Sequence, residues 1–414
     1  MAASAKTVEC TPDHPILTST NKWVKAKDLK INETRVKTSL TYPVIDMADE
    51  IKECNNWKLE VGGIELRTDT KKDYLEAMAF ARIIGLLITD GHIDKNDYKC
   101  AVYFGHLIDT RQFLDDLYLW CDIIPKVGMS MNTYTINIPS LLASSIVQLK
   151  GLEIGKKVTQ EAQLPDFILD PDCPRPIVRE FLGGVFGGDG HTCVLGMHRA
   201  KRDILTSISI SQSKKEQYLP SLETKMKNME KLLNKCGIHK ITIQKLKETT
   251  QSKKKCAKGD KTFQLLLHLD INELVPFSEK IGFRYCCHKS QRLEAGVSYK
   301  LLRDSVVRQH NWIVAKVDEL TDYKKKKMEN PKKNIRTKKQ ILEAIKILEE
   351  TEPLIHKYAI PTTHDISDHL IKGTKFGSFR SKSFPTAEQY LTEIGAIDWF
   401  KNHNYGQTRE IQAL

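Results

Sequence analysis

The sequence predicts an α+β protein built on an internal duplication: helix, two strands, helix, two strands, helix, given twice. Two apolar, glycine-bearing stretches, Tyr74 to Thr89 and Ile177 to Gly188, stop on the same tripeptide, Asp90-Gly91-His92 and Asp189-Gly190-His191. Each is followed by strand-like sequence, and the two aspartates lie 99 residues apart. Local self-similarity of this kind marks units that bury their apolar faces against one another.

The first stretch, YLEAMAFARIIGLLIT, is apolar nearly all round, so it is expected as a buried helix. Tyr98 to His106 and Met129 to Ile138 read as strands around a helix from Asp109 to Cys121, with another helix near Leu141 to Leu149. In the second copy Pro176 stands where its ring suits a first helical turn. His191 to Met197 and Leu205 to Gln212 then read as a hairpin, followed by a helix from Glu216 to Cys236. Strands at Ile241 to Leu246 and Thr262 to Leu269 are joined by the Lys-rich loop Gln251 to Lys261. The chain thus divides into residues 1–70, a first repeat at 71–165, a second at 166–322, and a C-terminal region at 323–414. The last begins with a Lys-rich connector from Tyr323 to Lys339 and continues as a small module with a helix from Lys338 to Ile355.

With 414 residues and 40% hydrophobic content the chain has ample material for packed cores. Its 64 Lys and Arg against 52 Asp and Glu leave a net charge of +12, which favours a polyanionic partner. No apolar run approaches the roughly eighteen residues of a membrane span, and MAASAKTVEC lacks the core of a signal peptide, so an intracellular protein without membrane contact is expected. The ten cysteines occur singly except for Cys286-Cys287, without a C-x-x-C pair, and read as reduced, mostly buried thiols.

Helices that end in aspartate can present carboxylates to a hard cation, and two such helices side by side would place two carboxylates together. Glycine permits a close approach: Gly85 lies five residues before Asp90 and Gly184 five before Asp189, with Gly183, Gly187 and Gly188 adding a bare face to the second helix. Each glycine lowers helix propensity by up to about 1 kcal/mol relative to alanine, which implies a packing reason for so many.

Ile83-Ile84-Gly85-Leu86-Leu87-Ile88-Thr89-Asp90-Gly91 and Leu182-Gly183-Gly184-Val185-Phe186-Gly187-Gly188-Asp189-Gly190 resemble the two copies of the LAGLIDADG motif of intein-associated homing endonucleases. The resemblance implies two pseudo-symmetric αββαββα repeats whose sheets form a saddle over double-stranded DNA, in a monomer with internal twofold pseudosymmetry. It implies Mg²⁺-dependent hydrolysis of both strands with a staggered break, Asp90 and Asp189 as catalytic acids, and a metal-binding set of Asp90, Asp189, Gly91 and Gly190. The family also places a basic residue near each site. Ile281 to Lys289 (IGFRYCCHK) matches the segment that carries it in the second repeat, so Lys289 is the candidate. In the first repeat the lysine expected just before Leu164-Pro165 is replaced by Ala162-Gln163, which leaves Lys156 or Lys157.

A second resemblance lies in the first thirty residues. Cys10-Thr11-Pro12-Asp13-His14-Pro15-Ile16-Leu17, followed by Trp23-Val24-Lys25-Ala26-Lys27-Asp28-Leu29, is similar to the intein segment with a T-x-x-H pair, so Thr11 and His14 match residues that polarise a scissile peptide. Only ten residues precede Thr11, and His403-Asn404 is followed by Tyr405 and not by a nucleophile, so a truncated Hint-like remnant is expected. In the C-terminal region, basic residues interleaved with Gly, Ser and Phe suit phosphate contacts, with Lys324, Lys325, Lys332, Lys333, Lys375, Arg380 and Lys382 as candidates. A helical cap with a solvated basic face fits the same composition. The alternatives to a nuclease are a catalytically inactive DNA- or RNA-binding protein of the same fold, maturase-like, and a self-splicing intein.

Overall fold

The structure, a computed structural model, describes residues 10–18, 23–30, 57–94, 99–130, 132–198, 201–248, 261–321, 337–352, 354–372, 376, 379 and 384–401. It is a mixed α+β chain in two compact units. The first comprises residues 1–194, 205–296 and 395–414, and the second residues 195–204 and 297–394.

The first unit opens with two hairpins, β1 (Pro15–Leu17) with β2 (Trp23–Lys25) and β3 (Lys58–Val61) with β4 (Ile64–Arg67). Helix α1 (Lys71–Leu87) starts at a capping box in which Thr70 and Asp73 satisfy each other's backbone N–H groups. From Ala77 to Leu87 every residue of α1 except Arg82 is buried, because the helix has protein on all sides. Strands β5 (His92–Asp94) and β6 (Lys99–Phe104), helix α2 (Leu107–Cys121), strands β7 (Val127–Ser130) and β8 (Thr133–Ile138), and helix α3 (Ser140–Ile146) complete the first copy. After the short helix α4 (Asp166–Leu169), α5 (Arg175–Asp189) begins the second copy, with Pro176 in its first turn. That copy continues with β9 (Gly190–His191), β12 (Ser209–Lys215), α6 (Leu219–Lys235), β13 (Ile241–Glu248), β14 (Thr262–Leu269) and α7 (Leu274–Lys280).

The two antiparallel four-stranded sheets have the orders β5-β6-β8-β7 and β9-β12-β14-β13, the same order for equivalent strands. Strand parity divides each sheet into two faces. Val102 and Phe104 on β6 and Ile136 and Ile138 on β8 are buried, as are Ile210 on β12 and Leu265, Leu267 and Leu269 on β14. The alternate positions are largely polar: His92, Thr135 and Asn137 in the first sheet, and Ser209, Ser211, Ser213, Gln244, Gln264 and His268 in the second.

Two strand assignments from the sequence are corrected. Met129 to Ile138 is not one strand but the β7–β8 hairpin, in which Asn132 adopts a positive φ of 70°, a conformation that asparagine tolerates. His191 to Met197 does not pair with Leu205 to Gln212 as a continuous hairpin. Only Gly190 and His191 pair with β12, and the chain then leaves the sheet for a separate hairpin, β10 (Leu195–His198) with β11 (Lys201–Leu205). Alternating sequence shows strand propensity but not the partner, so neither break was visible.

Helices α1 and α5 pack directly on each other through their glycines. A Cβ at Gly85 would lie 2.2 Å from the Phe181 carbonyl oxygen, and one at Gly184 would lie 2.3 Å from that of Arg82. Backbone therefore meets backbone, and any side chain at either position drives the helices apart. The bare face of α5 is in fact two faces. Gly184 and Gly188 meet α1, whereas Gly183 and Gly187 admit Arg284, whose backbone N–H donates to the Gly183 carbonyl at 3.0 Å and whose own carbonyl would sit 1.8 Å from a Cβ at Gly187.

Two buried charge clusters join the copies. Glu180 of α5 accepts from Arg82 Nη1 at 2.9 Å and from Arg284 Nε at 2.9 Å and Nη2 at 3.1 Å, while Arg82 also binds Asp116 of α2. Burial alone would raise the Glu180 carboxyl, but Arg284 and Arg82 outweigh it and hold the group ionised far below the usual carboxylate range. In the other cluster Glu153, from the first copy, accepts from Lys214 of β12 at 2.5 Å and Lys225 of α6 at 2.6 Å. Burial pushes its pKa up, and the two ammonium groups bring it down below the normal value.

Helix α8 (Cys287–Leu320) contributes its first turns, to Gly296, to the first unit and the remainder to the second. The short helix α12 (Ile397–Lys401) also belongs to the first unit, and Arg292 of α8 donates to the Trp399 carbonyl there. The second unit holds β10, most of β11, the rest of α8, α9 (Lys338–Thr351), α10 (Thr363–Lys372) and α11 (Ala387–Glu393). Within it Tyr390 and Ser298 share a hydrogen bond of 2.6 Å and Tyr299 donates to the Pro385 carbonyl at 3.1 Å. Among the described residues no helix is long and apolar enough to cross a membrane.

Candidate active site

The site is built at the C-terminal tips of α1 and α5. A helix ends with carbonyls that have no partner within it, and those carbonyls carry the negative end of the helix dipole. At the first tip Thr89, Asp90 and Gly91 all donate to the Leu86 carbonyl, which winds the chain tightly and sets Asp90 at the end. Lys157 Nζ then donates to the carbonyls of Leu87 at 3.5 Å, Thr89 at 2.5 Å and Gly91 at 3.0 Å. At the second tip Lys289 Nζ does the same for Phe186 at 3.5 Å, Gly187 at 2.7 Å and Gly188 at 2.5 Å. Each aspartate-bearing tip is therefore capped by one ammonium group.

The tips adjoin each other. A Cβ at Gly188 would lie 2.1 Å from Thr89 Oγ1 and 3.4 Å from Asp90 Cγ, so the Asp90 carboxylate lies against the residue before Asp189. Burial raises the Asp90 pKa and the Asp189 charge raises it further, while Lys289 and Lys157 pull the other way. Solvent nevertheless reaches Asp90, and Asp189 is partly exposed. Lys157 is depressed by burial, opposed chiefly by the charge of Asp189. Two crowded carboxylates with hard oxygen donors, one of them reluctant to ionise, suit a divalent cation of the Mg²⁺ type, which relieves their repulsion.

Of the residues expected here, Asp90, Asp189, Gly91, Gly190, Lys157 and Lys289 come together. A Cβ at Gly91 would lie 2.5 Å from the Leu87 carbonyl oxygen and one at Gly190 2.4 Å from that of Phe186, so both tips need glycine for the same reason. Lys156 lies elsewhere: it precedes the short 3-10 turn Lys157–Thr159, is exposed, and does not reach these carbonyls, because the turn directs its neighbour inward. Thr11 and His14 sit in an exposed turn closed by a bond from the His14 N–H to the Thr11 carbonyl at 3.0 Å. Lys324, Lys325, Lys332, Lys333, Lys375, Arg380, Lys382 and the His403-Asn404 pair lie outside the described residues.

Gln212 also reaches the site, although the sequence motifs do not include it. Its Nε2 donates to Asp189 Oδ2 at 3.2 Å, and its buried Oε1 has no hydrogen-bond partner among the described residues. The signal was available: Gln212 shares the inward parity of Ile210 and Lys214 on β12, and an inward polar side chain implies a polar neighbour. Lys214 was missed too, although it positions Lys157 by donating to its backbone carbonyl. Beside the second tip an open recess of about 230 Å³ is lined by Gly188, Asp189, Gly190, His191, Thr192, His288 and Lys289. Burial and the charges of Lys289, His106 and Arg292 hold His288 down at about 3, so its ring is neutral.

No protein-family model matches this sequence, and no curated protein matches it. Among solved structures, mesophilic variants from the homing endonuclease I-DmoI are similar at a TM-score of 0.31 and 12% identity, over 50% of this chain and 91% of theirs. Full-length DUF199/WhiA from Thermatoga maritima is similar at 0.30 and 12%, over 77% of this chain and 99% of its own. The meganuclease I-SmaMI bound to uncleaveable DNA is similar at 0.30 and 12%, over 54% of this chain and 92% of its own. At TM-scores this low none of these likenesses decides the fold or the function.

Proposed function

We propose that this protein is a LAGLIDADG-type homing endonuclease that hydrolyses both strands of a long double-stranded DNA site in a Mg²⁺-dependent reaction and leaves a staggered break. The observation that supports it is the pair of aspartate-bearing helix tips, made adjacent by the contact between Gly85 and Gly184 and each capped by a lysine. The polar faces of the two sheets, with His92, Thr135 and Asn137 on one and Ser211, Gln244, Gln264 and His268 on the other, supply donors and acceptors for base edges. On this reading the two sheets are the DNA-reading saddle of two αββαββα repeats. The net charge of +12 favours the phosphate backbone.

Bound Mg²⁺ would activate water and stabilise the leaving oxygen. Asp90 and Asp189 would hold it through carboxylate oxygens, beside Gly91 and Gly190. Gln212 fixes the rotamer of Asp189. Lys157 and Lys289 anchor their tips and place positive charge where the phosphorane gains negative charge. The Thr11–His14 turn is, on the same reading, the remnant of an intein splicing element, and the basic C-terminal residues add phosphate contacts.

The test is selection of cut sites from a randomised duplex library with Mg²⁺, followed by Asp90→Asn and Asp189→Asn on the selected site. Either substitution is expected to abolish double-strand breaks and leave binding intact in a gel-shift assay. Undiminished cutting by both variants would remove the assignment, and binding without cutting by the unsubstituted protein would make it a DNA-binding module.

A further inference from the structure

A different set of side chains meets where the two copies join. His106, at the start of α2, comes from the first copy, and Cys287 and His288, in the first turn of α8, follow the second. One ligand atom from each lies within 4.8 Å of the others, and the two imidazole rings stand edge to face at 5.5 Å. We propose that His106, Cys287 and His288 bind one Zn²⁺ ion, or another borderline transition metal, that links the two copies of the repeat.

The donor chemistry separates this site from the aspartate tips. Two imidazoles and a thiolate suit Zn²⁺ and reject Mg²⁺, whereas carboxylates suit Mg²⁺. A tetrahedral ion with bonds of about 2.0 to 2.3 Å needs its ligands roughly 3.3 to 3.8 Å apart, so the trio must close by about 1 Å, within the reach of side-chain rotation. The backbone beneath is already held: the Cys287 N–H donates to Asp109 Oδ1 at 2.8 Å. The Asp109 carboxylate would also offset the ion's charge from outside the trio. His288 lines the open recess beside Asp189, so solvent reaches the trio at one ring, and a water would complete a tetrahedral set. On binding, the Cys287 thiol passes its proton to solvent and becomes the sulfur ligand.

The full-length protein, stripped with chelator, is dialysed against limiting Zn²⁺ or Co²⁺ in excess Mg²⁺, and bound metal is measured by mass spectrometry. One ion per chain is expected, with a thiolate-to-cobalt charge-transfer band in the Co²⁺ form. His106→Gln and Cys287→Ser should each weaken binding at least about 10-fold. Asp90→Asn with Asp189→Asn should leave it unchanged, so this result stands or falls apart from the nuclease reading. Cys286→Ser should also retain the ion, although the Cys286 sulfur is 3.6 Å from His288 Nε2. If a ligand variant fails to fold, alkylation of the unsubstituted protein decides, since Zn²⁺ should protect Cys287. No bound ion in excess Mg²⁺, equal alkylation of Cys287 with and without Zn²⁺, or full binding by folded His106→Gln and Cys287→Ser would overturn the proposal.

Discussion

The two helix tips reach nearly the same arrangement by different routes. At the second tip the capping lysine, Lys289, belongs to the first turn of a 34-residue helix, and Asp189 is steadied by Gln212 from the adjacent strand. At the first tip Lys157 comes from a three-residue turn whose backbone is held from the other copy by Lys214, and the strand position equivalent to Gln212 is Phe104. Thr89 fills the space that Gly188 leaves open. The backbone is therefore close to symmetric while the side chains are not. A duplicated site can keep its geometry as long as each carbonyl cluster finds some ammonium group, and that group need not come from the same sequence position.

The largest effect should come from the support of the first tip. Glu153→Gln leaves Lys214 and Lys225 as buried ammonium groups without their carboxylate, which should cost about 3 to 5 kcal/mol in urea unfolding. On the proposed nuclease function, any cutting that survives should be lost first from the strand that Asp90 would serve, because Lys214 also holds Lys157. Equal loss on both strands would show that the two tips do not depend on different supports.

Next, Lys157→Met and Lys289→Met should each slow one strand by about 100-fold, the cost of removing one preorganised positive group. Supercoiled substrate would then accumulate as nicked circles, with opposite strands nicked in the two variants. Linear product at an unaltered rate from either would show that its lysine only caps the helix.

Gln212→Ala should have a smaller and one-sided effect, about 10-fold on the strand that Asp189 would serve in the proposed reaction, as expected for one hydrogen bond to a carboxylate. Strand-resolved kinetics on a doubly labelled duplex would show it, and an equal effect on both strands would place Gln212 outside the asymmetry.

The smallest effect concerns stability and pH. Burial and the neighbouring Asp189 raise the Asp90 pKa in the folded protein, so between its unfolded value and its raised folded value the native state binds more protons than the unfolded one. Stability from this group is present at acid pH and falls as pH rises through that window, staying low at neutral pH. Asp90→Asn should therefore melt slightly higher than the unsubstituted protein at neutral pH without added cation, and the gain should vanish in acid. A lower melting temperature at neutral pH would contradict the crowding of the two carboxylates.

Much of this was legible in the sequence. The α+β class, both central helices, the aspartates at their ends and the glycines between them follow from periodicity and spacing, because a buried helix must be apolar all round and a close crossing excludes side chains. Lys289 was reachable through its segment, whereas Lys156 and Lys157 were indistinguishable, since adjacent residues in a turn differ only in direction. Glu180 was not among the residues expected to matter, because its partners, Arg82 and Arg284, lie about a hundred residues away on either side.

By itself the amino-acid order determined which residues could form the two rods and what chemistry their ends could carry. Tertiary structure alone decided which lysine caps which tip, that β9 is cut short by an excursion, and that Gln212, Glu153 and the His106, Cys287 and His288 trio meet their partners. The physical reason is range: helix periodicity and capping act over a few residues, whereas ion pairs, carbonyl caps and metal-type clusters are satisfied by whatever the packed chain brings near.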